Sequence, residues 1–435
     1  MRACAIGQVY NGDNHMVGSS ACGNGCSVYS RAASCCRRPV WVAKRTELSF
    51  QRRLDLMKAI HGFCLVGLLI TVLSGMNLAS QTQSLAVLST RDRKFLDSLP
   101  AVPPGLNSAY TLDMEFSKKV SALYTCAIQA PSLAAREWEL IVPVPPELPS
   151  QKIAGARTIP AGSIVRDLSP RKQSIFYIDA PATNKSMRQG ITLQLIIEAY
   201  LYARTLVPRD TNYAVDVRFG QLSGDEKLWF LLPTPDFDYR DKQVHAWAVK
   251  SGVGNRESDE GEIAFARRVF QAVARGFLYE YRMDQDRSAS QVCRAGKSDC
   301  LGLSNLFVAV LRSQGIPART LVGRWAVSAR PGDKIGEIIN VQQHVKAEFF
   351  AQGVGWVPVD VSSAVQHDMS QMKLQYFGSD RGDFITLHLD SEVTFDTFHF
   401  GTIARTLQKA WYWASGNGNL GRATVREDWA VNWLW

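Results

Sequence analysis

Beyond residue 80 this sequence has little cysteine, no concentrated charge and no long apolar run. Six of its nine cysteines (Cys4, Cys22, Cys26, Cys35, Cys36 and Cys64) fall in residues 1–80, leaving Cys126, Cys293 and Cys300 for the remainder. Three thiols make no disulfide framework. Two outcomes stay open for an exported chain: Cys126 pairs with Cys293 and leaves Cys300 free, or all three are unpaired. Cys293 and Cys300 are seven residues apart, which is the wrong spacing for a Cys-x-x-Cys knuckle, so no metal site with His344 is expected. Residues 1–80 hold nine Lys/Arg against three Asp/Glu, a net +6 that leaves only +3 of the total +9 for 81–435. That remainder has no basic run interleaved with aromatics, which argues against a nucleic-acid surface. No apolar run reaches the roughly 20 residues a spanning helix needs.

The apolar run that is present starts after Lys58. Phe63 to Leu73 reads as the core of a secretory signal peptide at 57–80, with Asn77-Leu-Ala-Ser80 as its cleavage region. A membrane anchor that stays uncleaved is the alternative. Residues 1–56 show no periodicity, and the expected start of translation is Met57, with 1–56 a non-structural leader.

From 81 to about 250 the pattern is that of a β-rich domain. Tyr110–Phe116, Trp138–Val142, Ser174–Ile178 and Ile191–Tyr202 read as strands with turn-rich joints, in the manner of an antiparallel sandwich. No chemical constellation appears there. His245, beside Asp241, reads as a surface or packing histidine.

The chemistry concentrates between 251 and 370. A helix is expected to open at Ser258, with Ile263, Ala266, Phe270, Val273 and Phe277 on one face. A second is expected to start at Cys300, with Leu303, Phe307, Val310 and Leu311 as its apolar stripe, Asp299 as its cap, and Gly315 and Pro317 as its end. A thiol at a helix N-terminus feels the positive end of the peptide dipoles, which favours the thiolate. Thr320–Trp325 is strand-like, and Arg330-Pro-Gly-Asp-Lys is a charged turn. The strand predicted over Ile338–Phe350 puts His344, Lys346, Glu348 and Phe350 on one face and Val345, Ala347 and Phe349 on the other. The turn at Gln352-Gly-Val-Gly then leads into Gly355-Trp-Val-Pro-Val-Asp360.

These motifs, in this order, resemble the transglutaminase-like superfamily: Gly-x-x-Asp-Cys300, Gly-Ile-Pro-Ala-Arg319, His344-x-x-x-Glu348 and Gly-Trp-Val-Pro-Val-Asp360. The resemblance covers about 255–365. It implies an α+β fold, a papain-like transglutaminase core preceded by a β-sandwich-like N-terminal domain. It also implies a Cys-His-Asp triad with Cys300 as nucleophile, His344 as general base and acid, and Asp360 as the group orienting the imidazole. No cofactor and no metal are implied. The chain departs from the family at Lys346, where many members carry an aromatic residue. Three roles are open for that cation: supporting a thiolate, contacting an acidic substrate, or pointing to solvent. Glu348 is expected to form a structural salt bridge with Lys346, Arg319 or Arg324.

Residues 371–435 read as a β-rich extension, with alternation at Phe384–Leu389 and from Val393, and with Trp411, Trp413, Trp429, Trp433 and Trp435 covering a core edge or marking a binding surface. His367, His388 and His399 have no partner that the sequence can place. The function expected is that of an exported, bacterial-type cysteine enzyme, secreted or periplasmic. It would act on amide bonds of proteins or peptides through a thioester at Cys300, by hydrolysis or by acyl transfer to an amine. The alternative is a non-catalytic peptide- or protein-binding module that keeps the fold. No nucleic-acid partner is expected, and membrane contact only through an uncleaved 57–80.

Overall fold

A computed structural model describes residues 106–209, 221–335, 338–339, 341–397, 401–421 and 423–434, with Lys94 and Ser98 before them. The leader, the signal peptide, His399 and Trp435 lie outside the described residues.

Period-two burial builds the first part. Along β1 (Tyr110–Gln129), Val120, Ala122, Tyr124, Cys126 and Ile128 are buried in alternation. The same holds for Leu193, Leu195, Ile197, Ala199 and Leu201 on β6 (Gly190–Pro208). Between them run β2 (Leu133–Pro143), β3 (Gln151–Ile159), β4 (Ser163–Arg166), β5 (Ser174–Pro181) and the short α1 (Lys185–Gln189). The β1–β6 pair is antiparallel from Tyr110↔Pro208 to Gln129↔Gly190, with one bulge near Phe116. Trp138, Leu140, Ile178 and Trp429 help fill the space between two antiparallel sheets, as a sandwich requires.

The strands end at Pro208. The chain then turns helical with α2 (Gly224–Trp229) and α3 (Lys242–Lys250), whose Val244 and Ala248 join the helical core. The division between sandwich and core therefore falls ahead of residue 250. Next come α4 (Glu262–Gly276), β7 (Leu278–Tyr279), α5 (Ala289–Ala295), β8 (Lys297–Ser298) and α6 (Cys300–Ser313). α4 opens at Glu262 with Gly261 as its cap, later than Ser258. The preceding loop is held by Arg268, which donates to both oxygens of Glu260 at 2.6 Å and to the Asn255 carbonyl at 3.2 Å. The expected stripe is present on α4, but α6 is buried on every side from Leu301 to Arg312. A helix enclosed by α4, α5 and a sheet needs more than one apolar stripe.

That sheet has the order β13-β12-β9-β15. Its members are β9 (Ala318–Trp325), β12 (Gln343–Ala351), β13 (Gly355–Val359) and β15 (Phe384–Leu389), with the small β10 (Lys334–Ile335) and β11 (Ile338–Ile339) between β9 and β12. The single strand predicted over 338–350 is thus interrupted, and Gln342 at the break has φ +63. After β13 comes α7 (Val361–His367), which the sequence reading missed, and β14 (Ser379–Asp380) precedes β15.

The region beyond 370 is not a separate module. β15 is the fourth strand of the core sheet. β16 (Val393–Thr397) and β17 (Gly401–Arg405) form a hairpin, β18 (Trp411–Gly418) pairs with β2, and β19 (Thr424–Trp433) pairs with β1. Pairing across roughly 300 positions of sequence leaves no local signal from which to read it.

Candidate active site

Asp299 prepares the first turn of α6. Its carboxylate accepts from the amides of Leu301 at 3.1 Å and Gly302 at 3.2 Å, and receives the Arg287 Nε–H at 2.7 Å. The cap occupies those two amides and not that of Cys300. Gly302 is required by closeness: a Cβ there would lie 2.1 Å from Oγ of Ser298. Cys300 is half-buried and packs against the small cluster of Leu301, Val322 and Val345. β12 and β13 stop pairing at Ala347↔Val359, and the cluster that Cys300 packs against takes Val345 from β12 beyond that point, the residue after His344.

His344 is buried, and its Nε2 lies 2.8 Å from Oδ2 of Asp360. Trp325 stacks on the imidazole with ring centroids 4.6 Å apart and planes 21° from parallel, while Phe384 meets it edge-on at 6.1 Å. In register, His344 faces Gly323 of β9. A Cβ on Gly323 would lie 2.0 Å from the Ile385 carbonyl oxygen, so only glycine allows β15 this close to β9. Asp360 also caps α7 by accepting the Ser363 amide at 2.9 Å. Burial alone would raise its carboxyl, but His344, Lys346 and the Ser363 amide overcome this and hold it at about 2.

The electrostatics of Cys300 differ from the expectation of a helix-stabilised thiolate. Burial pushes the thiol well up, and the Asp299 carboxylate adds to the rise, as does Asp360. Arg287 and the Val345 amide act in the opposite direction. The residue that caps the helix puts a negative charge where the dipole would otherwise favour one on sulfur.

Lys346 has none of its three expected roles. It is buried, bonded to Asp380 at 3.2 Å and Asp383 at 3.5 Å, and stands 4.7 Å from the Trp325 ring centroid. Glu348 is a salt-bridge residue, as expected. Its partners are Arg319 at 2.7 Å and Arg204 of β6 at 2.7 Å, the second of which the sequence did not suggest. Arg324 instead donates to the Val341 carbonyl at 2.6 Å and to that of Gln408. His245 is exposed on α3. His388 is buried and accepts the Leu407 amide at Nε2, 3.0 Å away, and His367 ends α7. Cys126, Cys293 and Cys300 are all free thiols, so the Cys126–Cys293 pairing is not formed. Among the described residues no group of three or more His, Cys, Asp or Glu side chains could hold a metal ion. Trp325, Phe384 and Gln408 were missed by the sequence reading, because each reaches His344 from a different strand or turn.

The core is thus α+β, with a capped, cysteine-led helix packed against a sheet whose hairpin carries His344 and ends at Asp360. Residues 248–361, which contain all three proposed triad members, match the family model of the Transglutaminase-like superfamily. That match covers about a quarter of the chain. The chain is 33% identical over 92 residues to an uncharacterized protein of Haemophilus influenzae, a match covering 18% of this chain and 24% of the relative. The match thus spans about a quarter of that relative's length. Among solved structures it aligns with a candidate cysteine protease from Cytophaga hutchinsonii at 14% identity and TM-score 0.47, over 74% of this chain and 93% of the other. It also aligns with the periplasmic domain of TgpA from Pseudomonas aeruginosa at 14% identity and TM-score 0.29, over 64% and 99%.

Proposed function

We propose that this protein is a cysteine enzyme that cleaves or exchanges amide bonds of proteins or peptides through a thioester at Cys300. The observation that carries the reading is the 2.8 Å His344–Asp360 contact, on the strand whose next residue, Val345, belongs to the cluster that Cys300 packs against. An orienting carboxylate that stays ionised fixes the imidazole through Nε2 and leaves Nδ1 to take a proton. A thiol whose proton is held tightly at rest needs such a base at the moment of attack.

In the proposed cycle the Cys300 thiol gives its proton to His344 while sulfur bonds to the substrate carbonyl carbon. The carbonyl π electrons move to oxygen, where the Cys300 amide, left free by the Asp299 cap, is the proposed donor. Collapse of the intermediate breaks the C–N bond, and the leaving amine takes the proton from the imidazolium. The thioester is then resolved by water, giving an acid, or by an amine, giving a new amide; either returns the thiol. We further propose that the protein acts outside the cytoplasm, a reading that rests on the 57–80 segment. Among the described residues no helix is long and apolar enough to cross a membrane.

The test is incubation of the full chain with casein, with and without a labelled primary amine, read by mass spectrometry beside Cys300→Ala. Label incorporation identifies transfer, and chain cleavage identifies hydrolysis. If neither occurs, and Cys300 also alkylates at the same slow rate in wild type and His344→Ala, the protein is a binding module.

A further inference from the structure

Gln408 lies between β17 and β18, well outside the segment that matches the family. Its side-chain amide donates to two backbone carbonyls: that of Gly323 at 2.9 Å and that of His344 at 2.8 Å. These two residues face each other across β9 and β12. Only the –NH2 end of a glutamine can serve two carbonyls, and it has two hydrogens for the purpose. The side chain is therefore a staple with one leg on each strand, set at the residue that carries the imidazole.

The staple is itself held. Arg324 of β9 is buried and donates back to the Gln408 carbonyl, with Nε at 3.1 Å. Farther along, the indole N–H groups of Trp429 and Trp433 donate to the carbonyls of Trp325 at 2.8 Å and Ala326 at 3.0 Å. The C-terminal strands thus grip the end of β9 that carries the ring stacked on His344.

We propose that Gln408 is a positioning residue for His344, acting from the C-terminal segment through the backbone of the strand pair. This rests on His344 being the base for Cys300. A backbone carbonyl released on one strand lets His344 shift against Asp360 and the sulfur, and small misplacements of reacting groups cost much in rate.

The experiment measures the rate of Cys300 carboxamidomethylation by iodoacetamide on the full chain from pH 5 to 9, resolved by peptide mass spectrometry. Wild type, His344→Ala, Gln408→Met and Gln408→Asn are compared, with thermal melts on each. Methionine keeps the length and loses both donors; asparagine keeps the amide and falls short of the carbonyls. The expected result is that His344→Ala loses the histidine inflection, and that both Gln408 variants fold but label about tenfold more slowly at pH 7 with a displaced inflection. A purely structural glutamine would lower the melting temperature and leave the profile of the folded protein unchanged, which would overturn the proposal. Failure of both variants to fold would assign Gln408 to stability alone and overturn it as well. Wild-type labelling in His344→Ala would show instead that the triad reading fails, and this one with it.

Discussion

Trp325 lies almost flat on the imidazole of His344, with 4.6 Å between ring centroids, while the same indole has the Lys346 ammonium 4.7 Å from its centroid. The ring therefore touches both the candidate base and a buried cation. Its π face also attracts the imidazolium that forms when His344 accepts a proton, an effect of about 1 kcal/mol. Trp325→Leu is expected to lower turnover on casein about fivefold or more with the fold retained, and Trp325→Phe to recover most of the loss. Equal turnover in Trp325→Leu and wild type would mean that the stacking only fills space.

Asp299 and Arg287 set the charge beside the nucleophile. Replacing Arg287 by Gln leaves the Asp299 carboxylate without its 2.7 Å partner, close to the sulfur. The Cys300 labelling profile should move to higher pH, with the rate at pH 7 falling about three- to tenfold. Asp299→Asn keeps a good capping side chain and removes the charge, so its profile should move the other way. Alkylation rates across pH, resolved at Cys300, check both signs; a shift in the same direction for both variants would exclude an electrostatic account.

How much of this could be read in advance depended on how local the signal was. The Cys300 helix was legible because Asp299, the apolar spacing, Gly315 and Pro317 all lie within a few turns of one another. The β12–β13 hairpin was legible for the same reason: period two on either side of a glycine turn. The surroundings of His344 were not. Trp325 comes from β9, Phe384 from β15 and Gln408 from the turn before β18, and nothing in their own neighbourhoods marks them. None of the three roles open for Lys346 anticipated its place, because its carboxylate partners, Asp380 and Asp383, arrive more than thirty positions later.

His388 gives the molecule an acid-sensitive point. Burial brings its imidazole down to about 4, and Arg171 acts in the same direction, while Asp390 and the Leu389 carbonyl resist. The unfolded chain takes up this proton near pH 6.5, before the native state does. The stability involved is therefore complete above pH 6.5 and is lost as pH falls to about 4, a loss of about 3 kcal/mol. Asp236, raised to about 7 mainly by burial, contributes in the opposite sense over this range. The difference between wild type and His388→Gln isolates the histidine. Urea unfolding at pH 7.5, 5.5 and 4.5 should show a gap that changes in the variant's favour with acid; a constant gap would contradict the assignment.

The glutamate four residues after the histidine marks the family pattern, and its environment shows why it is there. Glu348 is fully buried between Arg319, held at Oε2, and Arg204, held at Oε1. Arg204 also reaches Asp380, which in turn holds Lys346. Three cations and three carboxylates, counting the partly exposed Asp383, thus form a balanced network that ties β6 of the sandwich to the strand bearing His344. Such a network adds little net stability over an apolar core of the same shape, but removing one member leaves its partners charged and unpaired. Glu348→Gln should therefore lower unfolding free energy by about 3–5 kcal/mol. Replacing Glu348 and Arg204 together, by Gln and Met, should cost less than the sum of the two single changes. Urea denaturation of the three variants measures that coupling. If the losses were strictly additive, Glu348 would be stabilised by Arg319 alone, and the bond from the sandwich would contribute nothing to holding the candidate site together.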